Sequence, residues 1–334
     1  MPICTTCTAP ISHLYTVYES AYNLRLEECK NCHSFADPYV EHDSLTLLLD
    51  LILLKRGVYR HLLYNRGSEP RKVTVNNDTS AMRPVNLSVK SKSRRREQRR
   101  WWLVLRLGGA LIFLDAFIRW THLTSERPAG KPSSDMTPWT REMSEAFLRI
   151  FLGCLAETTA FHAGISGACY VTLVTLEFVN SLWRGKQSSS RSGVREEFRY
   201  SLIPLSLLYS SLTKLFLLFL LSIWRPGPAA SRPISPPRNF TLLPFDLGES
   251  LFMKDVFELL DDDQLDRAWI VRNVLGGMSA GFGLRVILDC HPIFTSIIVL
   301  AGWATKTAVA QAVSLWVGFG RDNQQPAWLP YSIP

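Results

Sequence analysis

Seven cysteines occur in the chain, and four of them form two pairs of one spacing, Cys4-x2-Cys7 and Cys29-x2-Cys32, with 21 residues between the pairs. A CxxC pair puts two thiolates on one turn, and two such turns together supply the tetrahedral sulfur shell that Zn2+ prefers in a closed structural site. The spacing predicts one structural Zn2+ held by Cys4, Cys7, Cys29 and Cys32 in a zinc ribbon. Such a shell leaves no position for water, so the metal is expected to hold a small fold together, or to shape a recognition surface, and not to catalyse. A redox CxxC normally occurs singly and in a βαβ context. Cys154, Cys169 and Cys290 lie in or beside apolar stretches and read as packing residues.

A second set of chemically capable residues sits inside long apolar runs: Arg106, Asp115, Glu157, His162, Glu177, Lys214, Arg285 and Lys306. In hydrocarbon each is costly unless it pairs, faces water or reaches the interface. Lys214 lies near the middle of its run, with Glu157 or Glu177 as natural partners, whereas Arg106 and Arg285 are close to run ends and can snorkel. Lys214, Glu157 and His162 are the candidates for polar or lipid contacts inside a helical bundle, and a structural ion pair is the plainer reading for Lys214. Small residues at Ala160, Gly164 and Ala168, and at Gly277 and Gly281, recur at a spacing that lets helices approach closely. The chain has no GxSxG, no HExxH and no phosphate loop, and no enzymatic activity is expected.

The charge is unevenly distributed. Lys and Arg number 37 against 29 Asp and Glu, a net +8, and residues 71–100 hold ten of the basic residues against Asp78 and Glu97, so this tract accounts for the whole excess. Its densest part, Lys90, Lys92, Arg94, Arg95, Arg96, Arg99 and Arg100, abuts the first apolar run. There it marks the cytosolic flank of a span and can attract anionic lipid headgroups. The tract contains no aromatic residue, so nucleic-acid binding is not expected.

These groups need elements to position them. With 334 residues, 47% of them hydrophobic, and a mean hydropathy of +0.05, the chain is expected to be mostly α. The expected fold is a polytopic helical membrane protein of four or five transmembrane helices, with a small N-terminal four-cysteine zinc-ribbon head. A spanning helix needs about 20 mainly apolar residues. Residues 1–67 form the head, 68–100 a basic disordered linker, and 101–224 a first block of about three spans. Residues 225–268 form a proline-rich and then acidic loop with a short helix over 248–260. Residues 269–320 hold one or two further spans, and 321–334 are a tail.

Within the first block, 101–118 is marginal, 202–224 is strong, and 147–182 is too long for one upright span and too short for a comfortable pair, which predicts one long tilted helix or a helix with an interfacial extension. Asp289-Cys290-His291-Pro292 separates two apolar runs, and its proline predicts a turn. Trp101, Trp102, Trp120, Trp183, Trp224 and Trp269 fall at proposed span ends, where aromatic belts form. In the head, Asp43 or Ser44 can cap a helix over 45–54, too short to span and so buried or interfacial. No secretory signal is recognisable, which together with the basic tract puts the N-terminus in the cytosol. The 225–268 loop is then lumenal, where Asn239-Phe240-Thr241 is a glycosylation acceptor.

The order of residues in the head carries a family resemblance. A CxxC, a spacer with Leu24-Arg25-Leu26, a second CxxC, Ala36-Asp37 with Tyr39 and Glu41, Asp50-Leu51-Ile52-Leu53-Leu54-Lys55 and then Tyr59-Arg60-His61-Leu62-Leu63-Tyr64-Asn65 together resemble the Arv homology domain. The resemblance covers about residues 1–67. Thr8-Ala9-Pro10 departs from it where the family often has a glycine, and so does His42-Asp43-Ser44, but no metal ligand is lost. The resemblance implies a multi-pass protein of the endoplasmic reticulum, with the Golgi as second location. It implies a part in sterol trafficking, with effects on sphingolipids and on glycosylphosphatidylinositol (GPI) anchor synthesis. The partners it implies are membrane lipids (sterol, sphingolipid or glycolipid intermediates) and a lipid-biosynthetic membrane complex.

Overall fold

The computed structural model describes residues 1–18, 24–72, 85–125, 141–183, 193–223 and 270–317. The expected helix over 248–260, the Asn239 acceptor and the tail 321–334 lie outside the described residues.

The head opens with two strands, β1 (Tyr15–Val17) and β2 (Leu24–Leu26), paired antiparallel with Tyr15 opposite Leu26. A third, β3 (Arg71–Lys72), pairs parallel to β1 on its other edge, giving the order β2-β1-β3. The head thus runs on to Lys72 instead of ending near Gly67, because β3 satisfies backbone groups that β1 would otherwise leave unpaired at a sheet edge.

Helix α1 (Ser44–Ile52) begins at Asp43, whose carboxylate accepts from the Thr46 amide at 3.4 Å. It stops because Leu54 turns left-handed at φ 56°, which no helix continues through. Helix α2 (Arg56–Arg60) follows and widens directly into a π turn over His61–Asn65.

The remainder is helical: α3 (Val85–Ser125), α4 (Arg141–Trp183), the short α5 (Gly193–Glu196), α6 (Leu202–Ile223), α7 (Gly276–Leu288) after a π turn at Val271–Leu275, and α8 (Pro292–Val317). Four stretches are long and apolar enough to cross a membrane: Arg94–Thr121, Met143–Val179, Leu202–Leu221 and Pro292–Ser314. The long run from Phe147 belongs to one continuous helix, α4.

Residues 85–100, expected to be a disordered linker, are instead the first four turns of α3. Lys, Arg, Gln and Glu are good helix formers, this stretch lacks Gly and Pro, and the apolar span that follows extends the same helix. Between α7 and α8, Asp289 adopts φ 46° and Pro292 occupies the first helical position, as the sequence turn required.

Helix α8 runs antiparallel to α4 and very close to it. A Cβ on Gly302 would lie 2.4 Å from Ile165 Cγ1, and one on Gly164 would lie 2.1 Å from Thr305 Oγ1. Gly277 and Gly281 behave otherwise, since a Cβ at either would meet Val299 only at 3.9 and 4.0 Å. The tight glycine of α7 is Gly283, whose Cβ would stand 2.8 Å from Ser206 Oγ of α6.

One apolar core joins the head to the bundle: Ile3, Leu51, Val58, Tyr59 and Leu63 are buried in the same cluster as Leu202, Leu205, Leu284 and Ile287. The Tyr59 ring meets Phe282 edge-on at 5.5 Å, the Thr213 hydroxyl donates to Ile52 O at 3.0 Å, and Arg100 donates to Leu63 O at 3.1 Å. The terminal ammonium of Met1 pairs with Glu197. Helix α1 lays Leu51 into this core while Leu45, Leu48, Leu49 and Leu53 face outward, exposed beside α6. A second, smaller cluster lies at the other end of the bundle, where Ile112 and Ala116 of α3 meet Ile150 and Cys154 of α4 and Ala310 of α8.

Candidate functional site

The two CxxC turns have the same backbone geometry. The Cys4 amide donates to Ala9 O at 2.9 Å and the Thr8 amide to Cys4 O at 3.1 Å; the Cys29 amide donates to Ser34 O at 2.8 Å and the His33 amide to Cys29 O at 2.9 Å. In each turn the fourth residue after the first cysteine is left-handed, Thr8 at φ 66° and His33 at φ 56°. The Thr5 amide donates to Ala36 O, and the Ala36 amide to Glu27 O, both at 2.9 Å, holding the turns face to face.

All four Sγ atoms come within 4.8 Å of one another, with Cys4 3.7 Å from Cys32 and Cys7 3.5 Å from Cys29. These separations far exceed a disulfide bond of about 2.05 Å. They suit sulfurs arranged about a single tetrahedral ion, which at a metal–sulfur distance of about 2.3 Å are about 3.8 Å apart. The four cysteines therefore lie close enough to bind one metal ion. Burial pushes the Cys4 thiol up to about 12. Burial acts the same way on Cys7, but hydrogen bonds from the Ala9 amide, the Asn31 side chain and the Cys29 thiol outweigh it and bring Cys7 down to about 6.

Between the first cysteine turn and the helices lies a buried polar knot. Asp37, with no exposed surface, accepts from His61 Nδ1 and Asn65 Nδ2 at 2.7 Å each through Oδ2, and from the Tyr39 amide at 3.1 Å through Oδ1. Asn65 also accepts from the Ile3 amide at 2.9 Å and donates to Ile3 O at 2.8 Å, while Arg60 donates to Thr5 O and Thr6 O at 2.7 and 2.9 Å. The π turn lets His61 and Asn65 reach the same carboxylate. The Tyr59–Asn65 stretch thus bolts the first cysteine turn to the helices, a role that the CxxC spacing does not reveal.

Inside the bundle the charged side chains converge. Arg119 of α3, 2% exposed, meets Asp115 Oδ2 at 2.9 Å, one turn away on its own helix, and Glu157 Oε2 of α4 at 3.1 Å. The sequence reading offers Lys214 either Glu157 or Glu177 as a partner; the structure shows Glu157 meeting Arg119, a residue that reading does not count as lying within a span. The signal available was the four-residue spacing of Asp115 and Arg119, which puts both on one helix face. Lys306 of α8 is buried within electrostatic reach of Arg119 and Glu157, and its ammonium has no hydrogen-bond partner among the described residues.

Lys214 and His162 instead line a cavity of about 80 Å³ between α3, α4, α6 and the start of α7, together with Asp115. Arg106 stacks over Trp102 at 5.4 Å, and Arg285 and Glu177 are exposed. In the basic tract Arg94, Arg95 and Arg99 are exposed on α3, Arg100 is tied to the head, and Lys90 and Lys92 lie on the preceding turns of the same helix.

A sequence profile of the Arv1-like family matches residues 3–235. The N-terminal region is 49% identical over 63 residues to the protein arv1 of Schizosaccharomyces pombe, a stretch covering 19% of this chain and 24% of that protein. It is 48% identical over 63 residues to ARV1 of Saccharomyces cerevisiae, covering 19% of each chain. The likeness to ARV1 of Mus musculus is lower and longer, 24% identity over 168 residues, covering 50% of this chain and 49% of that protein. The matches thus span at most about half the length of these relatives, and the strongest are confined to the head. No solved structure matches the chain.

Proposed function

The chain belongs to the Arv1-like family, and from that premise we propose that it serves sterol and lipid homeostasis in the membrane of the endoplasmic reticulum, affecting sterol distribution and sphingolipid metabolism. The observation that carries the mechanism is the apolar core shared by head and bundle, with three leucines of α1 and the adjoining Leu53 turned outward beside α6. An apolar helix face held there belongs in the lipid of the cytosolic leaflet, so the head works as a rigid part of the membrane surface and not as a tethered module above it. The exposed Arg94, Arg95 and Arg99 alongside draw anionic headgroups to the same leaflet. The resident metal is one Zn2+ at Cys4, Cys7, Cys29 and Cys32, which holds the ribbon and takes no part in chemistry. The N-terminus is cytosolic, and the role is not catalytic.

One observation favours a second reading, a non-transporting accessory factor for GPI-anchor synthesis: the bundle cavity, about 80 Å³, holds no whole lipid. A time course after acute depletion separates the two, with free sterol measured in isolated endoplasmic-reticulum and plasma membranes alongside GPI precursors. A rise in endoplasmic-reticulum sterol before any precursor accumulates is the expected result. Precursors accumulating first would assign the protein to anchor synthesis, and no change in either would defeat both readings.

A further inference from the structure

We propose that the cavity between α3, α4, α6 and α7 is a binding site for the free hydroxyl of an uncharged membrane lipid. The inference rests on reading the protein as one that handles lipids, and it adds where and by what chemistry a lipid is held.

Two buried polar atoms belonging to residues that line this cavity, His162 Nε2 and Asp115 Oδ1, have no hydrogen-bond partner among the described residues. The rest of each side chain is committed. His162 Nδ1 lies 2.8 Å from Thr158 O, and a carbonyl oxygen only accepts, so Nδ1 carries the ring proton and Nε2 of the neutral imidazole is an acceptor. Asp115 Oδ2 faces Arg119 at 2.9 Å and the Cys154 thiol lies close to the same carboxylate, so Oδ1 is the lesser of the two acceptors. Lys214, a donor, lines the same space. The hydroxyls of Ser210 and Ser211 donate to Leu207 O and Leu208 O of their own helix.

A ligand for this set must donate as well as accept. A phosphate oxyanion would confront two acceptors, and a quaternary ammonium has no N–H to give. An alcohol fits, donating to His162 Nε2 or Asp115 Oδ1 and accepting from Lys214. The volume, about 80 Å³, admits a hydroxyl and the few atoms behind it. The remaining lining, with Leu111, Phe161 and Leu215, suits the apolar body that follows. Sterols, ceramides and diacylglycerols all present such a hydroxyl.

The test is photo-crosslinking of the purified full-length protein in phosphatidylcholine vesicles with diazirine-bearing cholesterol, ceramide and diacylglycerol in separate arms, the labelled peptides then being mapped. Each arm is competed with the unlabelled alcohol and with its O-methyl ether. Label on the α4 and α6 peptides bearing His162 and Lys214, displaced by the alcohol about tenfold better than by the ether, is expected in at least one arm, and that arm names the lipid class. His162→Leu and Lys214→Met, each checked for unchanged metal content and melting temperature, should each lower that label to a similar extent.

Equal competition by alcohol and ether overturns the proposal, as does label only outside the cavity or label unchanged in two folded variants. If depletion alters sterol distribution while no alcohol labels the cavity, the homeostasis reading stands and the site falls. If the cavity is labelled while depletion changes nothing, the site stands and that reading falls.

Discussion

The Asp37 carboxylate of the ribbon head and the charged cluster of the helical bundle are both buried, but they are satisfied differently, although the head too has buried polar atoms without a partner among the described residues, such as Tyr59 Oη and Tyr64 Oη. In the head, Asp37 accepts three hydrogen bonds from donors already fixed by the chain, and the four thiols converge on one point. In the bundle, the charged side chains that converge among the described residues include Arg119 and Lys306 with Asp115 and Glu157. Several atoms there, Lys306 Nζ, His162 Nε2 and Asp115 Oδ1, have no hydrogen-bond partner among the described residues. A closed network of this kind rigidifies and an open one is expensive to keep, so an open network is the place to look for a ligand and a closed one the place to look for stability. The Asp37 knot is accordingly the place to look for stability, and the bundle cluster the place to look for a ligand.

The sharpest way to break this contrast is to open the closed side. Replacing Cys29 and Cys32 by Ser removes half of the sulfur shell, and structural Zn2+ contributes on the order of 10 kcal/mol to such folds. The doubly substituted protein should carry no zinc by elemental analysis. Because Ile3, Leu51 and Tyr59 share a core with α6 and α7, the bundle should melt at a lower temperature as well. Stoichiometric zinc with an unchanged melting curve would remove the ribbon from the argument.

The next largest effect belongs to the bundle. Arg119→Met leaves Asp115 and Glu157 facing each other without the guanidinium that now joins them, a loss of about 3 to 5 kcal/mol for a broken buried pair. The triple variant Asp115→Leu, Arg119→Met, Glu157→Leu should recover most of the loss, since removing all the charges together also removes their desolvation cost. Thermal unfolding in detergent compares the two. A single variant as stable as the parent would mean that the charged cluster is solvated and the bundle interior wet.

Within the head, Asp37→Asn tests the knot between the first cysteine turn and the helices. An amide oxygen is a weaker acceptor than a carboxylate, and its NH2 would face the His61 and Asn65 donors, so a loss of about 2 kcal/mol is expected while metal content stays intact. Loss of the metal instead would show that Asp37 sets the position of the cysteines, and would make the knot part of the metal site.

How much of this was legible in the sequence follows the same division. The cysteine turns were readable because both members of each pair lie on one turn, so spacing alone carries the geometry. Apolar length located the four candidate spans, but it also offered the run before Asp289 as a fifth, which is the 13-residue α7 and too short to cross. The partner of Glu157 was not readable: Arg119 lies on another helix, just past the apolar run that seemed to end at Ile118, and hydropathy does not say which helices touch. The docking of head on bundle was hidden as well, because the outward leucines of α1 and its buried Leu51 look alike in a run of leucines. Residues 85–100 looked disordered because charge density was read ahead of helix propensity.

The smallest effect concerns strain within the head, at Thr8 of the first cysteine turn. Thr8 is held at φ 66°, a conformation that costs a residue with a side chain about 1 kcal/mol or more and glycine almost nothing. Thr8→Gly should therefore raise stability by about 1 kcal/mol, less whatever the more flexible unfolded chain takes back. His33, at φ 56° in the equivalent position of the second turn, should gain less from the same change, because it lacks the β-branch that makes Thr8 stiff. Measured side by side, the two substitutions ask whether the matching geometry of the turns comes from the metal or from the chain. If the metal imposes it, both variants gain and Thr8→Gly gains more; if Thr8→Gly loses stability, the first turn is held by contacts of the threonine side chain.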